Sequence, residues 1–243
     1  MSEATHTLRQ ERPELVVTPS PLAHHFENLD QQRDAESLGM WVYIATEVLI
    51  FAGLFTGYFA YRIWYQKDFE AASARLNVLI GGLNTVVLLT SSLTMALSVY
   101  AARVNNQRLL CTCLGLTCLL GLSFLGFKAV EYTGDYRENL VPGSAYFKPE
   151  DWAREGFDPA HVQLFLTFYY ILTGIHATHM AAGIGWIAVI IVLAWRGRFS
   201  PLHYMPIEIL ALYWHFVDIV WIFLLPLLYL TGEHHVSDLH FLK

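Results

Sequence analysis

Five long apolar stretches alternate with short polar ones along the chain, at 38–63, 76–100, 109–132, 162–195 and 204–230, each of 24 or more residues. A helix rises about 1.5 Å per residue and needs about 20 residues to cross the hydrocarbon core of a bilayer. Each stretch therefore predicts a transmembrane α-helix. Charge follows the same pattern, since 30 of the 36 Lys, Arg, Asp and Glu residues fall outside the five stretches. The predicted fold class is all-α, a polytopic membrane protein built as a bundle of five transmembrane helices in one domain, 38–231. Residues 1–37 are polar, contain Pro13, Pro19 and Pro21, and lack the pattern of a cleaved signal peptide. They are expected to form a loosely ordered tail, and 232–243 a short C-terminal tail.

Composition narrows the class. Of the 243 residues, 55% are hydrophobic and 15% charged, whereas a soluble domain carries about 25% charged residues. A typical soluble enzyme is excluded. The net charge of −6 resides mainly in the tail and the 133–161 loop, and no basic surface suited to nucleic acid is present. Two short loops carry Arg103 with Arg108 and Arg196 with Arg198 and contain no acid. By the positive-inside rule they place the N-terminus in the cytoplasm, and an odd number of spans then puts the C-terminus on the outer side. Cys111, Cys113 and Cys118 all lie in the third span at spacings that suit apolar filler better than a disulfide or zinc site.

Ionisable groups inside the spans are the candidate chemistry, because a charge at the bilayer centre costs about 2.5–3.5 kcal/mol on insertion scales. Glu47 lies in the first span, His176 and His179 in the fourth and Asp218 in the fifth. At about 100° per residue, Glu208, His215 and Asp218 share an arc of roughly 80°, a polar stripe that should face protein. The two histidines read as hydrogen-bonded structural groups, with a cofactor ligand or a proton relay as alternatives; the two acids read as protonated or paired. Lys128 and Glu131 are assigned to the headgroup interface, with a local ion pair as the alternative. Gly53 with Gly57, and the ridge Gly174, Ala177, Ala181 and Gly185, are expected to pack helices within the bundle, with a subunit contact as the alternative. Trp41, Trp64, Tyr65 and Trp195 are expected to anchor at the interfaces, and Pro226 to kink or loosen the end of the fifth span. No phosphate loop, nucleophile elbow, zincin helix or dinucleotide fingerprint is present. The residues alone describe a membrane bundle with a polar seam and no complete catalytic set, part of something larger.

The run Tyr213 to Trp221, YWHFVDIVW, closely resembles the best-marked segment of subunit III of the haem-copper terminal oxidases, and Glu208 precedes it at that family's separation. TGIHATHMAAG at 173–183 resembles the family's paired-histidine helix, and ATEVLIFAGLF at 45–55 its glutamate-bearing helix. LNTVVLLTSS at 83–92 and KAVEY at 128–132 follow in the family's order. The resemblance covers 38–231 and is to the five-helix bacterial form; mitochondrial relatives have two further helices. It implies an accessory subunit of a proton-translocating respiratory oxidase in the bacterial inner (plasma) membrane, with O2 reduced to water elsewhere in the complex. Haems and copper would sit on partner subunits, with no metal, cofactor or catalytic residue on this chain. The partners implied are subunit I directly, subunit II and other respiratory subunits, and membrane lipids including a structural phospholipid. Support of proton uptake and oxygen access is implied as well. Glu47, His176, His179, Glu208, His215 and Asp218 would be interhelical or lipid-headgroup contacts, Arg62 a phosphate partner, and Trp214, Trp221 and Glu131 family-motif residues. The electron donor, cytochrome c or quinol, belongs to another subunit; the acid-rich outer loop gives slight support to cytochrome c. Open alternatives are the related accessory protein of nitric oxide reductase, a stand-alone b-type membrane cytochrome and a proton-conducting bundle.

Overall fold

The computed structural model describes residues 26–143, 147–199 and 204–232. Seven helices account for most of them: α1 (Leu29–Trp64), α2 (Gln66–Ala74), α3 (Val78–Arg103), α4 (Gln107–Arg137), α5 (Pro149–Arg154), α6 (Pro159–Trp195) and α7 (Met205–Tyr229). Five of these, α1, α3, α4, α6 and α7, are long and apolar enough to cross a membrane, matching the five apolar stretches. The short α2 and α5 lie in the two loops on the side away from the N-terminus.

Local chemistry fixes the helix ends. Asn28, Asn77 and Asn106 accept from the backbone N–H of Gln31, Ile80 and Leu109, and Asp158 caps α6 through Ala160, so orphan donors of each first turn are satisfied. Between α3 and α4 the chain reverses at Asn105, which adopts φ 56°, a left-handed conformation that asparagine tolerates. The Asn28 cap starts α1 within the segment expected to be a tail, so residues 29–37 are helical; residues 1–25 and 233–243 lie outside the described residues.

Helices α3, α4, α6 and α7 form a ring in which each packs on the next, and α1 leans on the edge made by α6 and α7. The ring is filled from α7 by Trp214 and Trp221, both fully buried and seven residues apart, which places them on one face two turns apart. Each indole N–H donates to α3, Trp214 Nε1 to Ser91 Oγ at 3.1 Å and Trp221 Nε1 to Thr85 Oγ1 at 3.0 Å. Phe124 stands edge-on against Trp221 with centroids 4.8 Å apart.

The small residues behave differently from expectation. A Cβ at Gly174 or Gly185 would meet nothing within 4 Å, so that ridge faces away from the bundle; Gly53 is open too, and Gly57 alone of its pair meets a side chain, Phe168. Gly121 and Gly183 form the close approaches instead, each within 3.0 Å of the Trp214 ring for an added Cβ, because a large indole inside a ring needs bare backbone opposite it. Trp64 and Trp195 are 72% and 87% exposed at helix ends, as anchors should be. Tyr65 is half-buried and stacks on His161 with centroids 3.6 Å apart.

Helix α7 continues three residues past Pro226. Its last carbonyls are taken up by side chains, with Tyr58 Oη donating to Leu227 O and Ser73 Oγ to Leu228 O, both at 2.7 Å, so the end expected to loosen is tied to α1 and α2.

Candidate functional site: the polar seams between spans

Two seams connect the spans. The first joins α1 to α6. Glu47 Oε2 lies 3.0 Å from His179 Nε2, while His179 Nδ1 lies 2.8 Å from Ile175 O. A carbonyl only accepts, so Nδ1 carries the hydrogen of that contact. Phe51 covers the imidazole with centroids 5.7 Å apart, and Tyr213 Oη donates to His179 O at 2.9 Å. The seam thus collects α1, α6 and α7 on one histidine.

The second joins α7 to α3 and contains the predicted stripe. Glu208 pairs with Arg103, whose guanidinium also lies over Tyr204, 5.6 Å from its ring centroid. His215 Nδ1 is 2.7 Å from Ser92 Oγ, and the same serine faces Asp218. All three stripe residues therefore look at α3, as a face that avoids lipid should. Glu208 is committed to an arginine of this chain, which is the interhelical arm of its expected role.

Some placements differ. His176 is buried with neither ring nitrogen bonded to protein, and neither carboxyl oxygen of Asp218 makes a hydrogen bond of ordinary geometry. The expected hydrogen-bonded histidine is instead packed among rings, 5.2 Å from Trp221 and 5.4 Å from Phe124 between centroids. Arg62 sits half-buried in the last turn of α1 and makes no ion pair among the described residues. His179 has both nitrogens engaged, so His176 and His179 do not present two donors to a common metal or haem. Among the described residues no three His, Cys, Asp or Glu side chains gather as a metal site.

Lys128 and Glu131 do not reach out of the bundle; the local ion pair, the alternative reading, is what forms. Their exposures are 3% and 4%, and they form an ion pair of 2.9 Å inside the bundle. Lys128 Nζ donates also to Tyr229 Oη at 2.8 Å and Tyr169 Oη at 3.1 Å. Four rings surround the ammonium, those of Tyr132 and Tyr169 at 4.9 Å and Trp221 and Tyr229 at 5.6 Å, a cage that offers a cation π-faces in place of water. Glu131 Oε1 accepts from Tyr229 at 2.5 Å and Tyr169 at 3.0 Å. Asp135, one turn on, joins through Tyr169. Helix periodicity carried a signal for this cluster: Lys128, Glu131 and Asp135 stand at i, i+3 and i+7, one face of α4. A lysine near a span's end can snorkel to water; the aromatic residues brought by α6 and α7 remove the need for it.

The 133–161 loop spends much of its acid internally. Arg75 makes a two-point contact with Glu155 at 2.6 and 2.9 Å and lies over Trp152. Asp68 accepts from the Asp158 N–H at 3.1 Å and approaches His161 Nδ1 at 2.8 Å. With Asp135 buried and Asp158 capping α6, the loop offers less free negative charge to a basic docking partner than its composition suggested.

A family model described as Cytochrome c oxidase subunit III matches residues 23–233. The chain is 29% identical over 220 residues to a cytochrome c oxidase subunit 3 of Alkalihalophilus pseudofirmus, covering 89% of this chain and 97% of that one. It is 32% identical over 202 residues to a cytochrome c oxidase subunit 3 of Synechocystis, covering 81% and 76%. It is also 29% identical over 195 residues to a probable quinol oxidase subunit 3 of Staphylococcus haemolyticus, covering 80% and 88%.

Proposed function

We propose, from the premise that this chain belongs to the cytochrome c oxidase subunit III family, that it serves as the non-catalytic, lipid-embedded partner of the oxidase's redox subunits. Subunit III of a haem-copper oxidase is what the family fixes. The finer reading is that the chain docks on subunit I, steadies it, and leaves electron chemistry to subunits I and II. The observation that carries it is the Glu47–His179 pair with its neighbours: this carboxyl and imidazole, with the Tyr213 hydroxyl on the His179 carbonyl, are used to join α1, α6 and α7. Groups so used hold helices together and do not assemble a redox centre.

A phospholipid is the second element of the proposal. Arg62, half-buried at the end of α1 and without an acidic partner among the described residues, is the candidate for its phosphate. Support for proton uptake and oxygen access would then follow from the position of the chain beside subunit I. The N-terminus is proposed to face the cytoplasm.

Purification in mild detergent, with mass spectrometry of partners and lipids and an optical spectrum, tests this reading. The expected result is a larger complex containing haem and copper, with the separated chain colourless. A Soret band retained by the separated chain would overturn it. The same preparation identifies the donor, since related subunits belong to cytochrome c and quinol oxidases alike.

A further inference from the structure

We propose that Asp135, Tyr169 and Glu131 form a proton-holding relay in which one proton beyond the ordinary complement resides on Asp135, on the side of the bundle that carries the 133–161 loop.

Two carboxylates and one ammonium are buried together, with Lys128, Glu131 and Asp135 at 3%, 4% and 7% exposure. Fully ionised, the group would carry an uncompensated negative charge in a medium that solvates it poorly. Among the described residues the charged groups acting on Asp135 are Glu131, Lys128 and Glu138, so two of the three are negative. Lys128 is already spent on Glu131, 2.9 Å away.

Hydrogen counting leads to the same atom. Tyr229 donates its one hydroxyl hydrogen to Glu131 Oε1 at 2.5 Å. Thr173 Oγ1 donates to Tyr169 O at 2.5 Å, so the Tyr132 hydroxyl must donate to Thr173, 2.6 Å away. Tyr169 also has a single hydrogen, yet its Oη lies 3.0 Å from Glu131 Oε1 and 3.2 Å from Asp135 Oδ2. One hydrogen serves only one of these. The Tyr170 hydroxyl reaches Asp135 Oδ2 only at 3.4 Å. A proton on Asp135 Oδ2 resolves both counts. It donates to Tyr169 Oη, which accepts from Lys128 as well and gives its own hydrogen to Glu131. The cluster then holds one ammonium, one carboxylate and one carboxylic acid, and is neutral overall.

That row can also conduct. When the Asp135 O–H bond breaks and its proton bonds to Tyr169 Oη, the former Tyr169 proton passes to Glu131 Oε1. A proton has moved from Asp135 to Glu131, and the phenol is unchanged. His176, whose ring lies 5.2 Å from that of Trp221 between centroids, keeps two unbonded nitrogens but makes no hydrogen bond to this row.

Infrared difference spectra of native membranes containing the oxidase test the assignment. Wild type minus Asp135→Asn should show the loss of one carboxylic-acid carbonyl band, which ionised carboxylates lack, and the band should shift in D2O through exchange at the loop side. Asp135→Glu should retain the band at a displaced position. Because an amide imitates a protonated acid, Asp135→Asn should assemble at the wild-type level. No acid band lost in Asp135→Asn, or a band that ignores D2O, would overturn the proposal. So would failure of Asp135→Asn to accumulate while Asp135→Glu does, since that would show the negative charge itself to be required.

Discussion

A Cβ added at Gly121 would lie 2.8 Å from Cη2 of Trp214, and one at Gly183 would lie 3.0 Å from the same ring. The indole cannot retreat, because its N–H is bonded to Ser91 and its body is fully buried. Gly121→Val is therefore expected to lower stability by about 1–3 kcal/mol, the usual cost of overpacking, read as an earlier thermal-unfolding transition of the purified complex. Gly185→Ala, where nothing lies within 4 Å, should leave the transition in place or raise it slightly. Within the bundle, the glycine spacing does not identify the packing ridge. The deciding fact is which glycine faces the tryptophan, and that depends on the rotation of α6 against α7, which spacing within one helix does not encode. Lys128 teaches the same at charge level. Lys128→Met should destabilise by about 3–5 kcal/mol by leaving Glu131 buried without its cation, and Lys128→Met with Glu131→Gln should recover most of the loss. Equal thermal transitions for the single and double variants would contradict the pairing.

At the scale of elements, length and hydropathy made the five spans readable, because a bilayer accepts little else. The arc of Glu208, His215 and Asp218 was readable as well, since helix geometry alone puts them on one face, and that face meets α3. What the pattern could not convey was the partner: Arg103 and Ser92 come from another helix, and no periodicity in α7 names them. The end of α7 illustrates the limit further. Pro226 removes a donor, yet Tyr58 and Ser73 reach in from α1 and α2 to hold the carbonyls of Leu227 and Leu228. Tyr58→Phe is expected to cost about 0.5–1.5 kcal/mol, a typical net hydrogen bond, and to raise amide hydrogen exchange selectively in the last turn of α7. Uniform exchange changes along α7 would argue against this cap.

For the whole molecule, the ring of α3, α4, α6 and α7 supplies a filled interior, while α1 lies outside it and is held along one edge. Polar ties on that edge are Glu47 with His179 and Tyr58 with the Leu227 carbonyl. Glu47→Leu leaves His179 without its partner and is expected to reduce recovery of the chain with its oxidase several-fold, while the initial turnover of complexes that do assemble changes little. Initial turnover falling ahead of recovery would count against the scaffolding role. The order of the helices was readable from the sequence; the unequal standing of α1 was not, because it is a property of how five elements are distributed around a centre.

Glu47 and His179 are 132 residues apart in the chain, and translation delivers them in that order. The first span reaches the bilayer before the groove that receives it has been made, and its carboxyl must wait there without an imidazole until α6 and α7 emerge from the ribosome. Membrane insertion of this chain therefore has a built-in interval of vulnerability, and a helper that shelters α1 during that interval would act on assembly without touching the finished subunit.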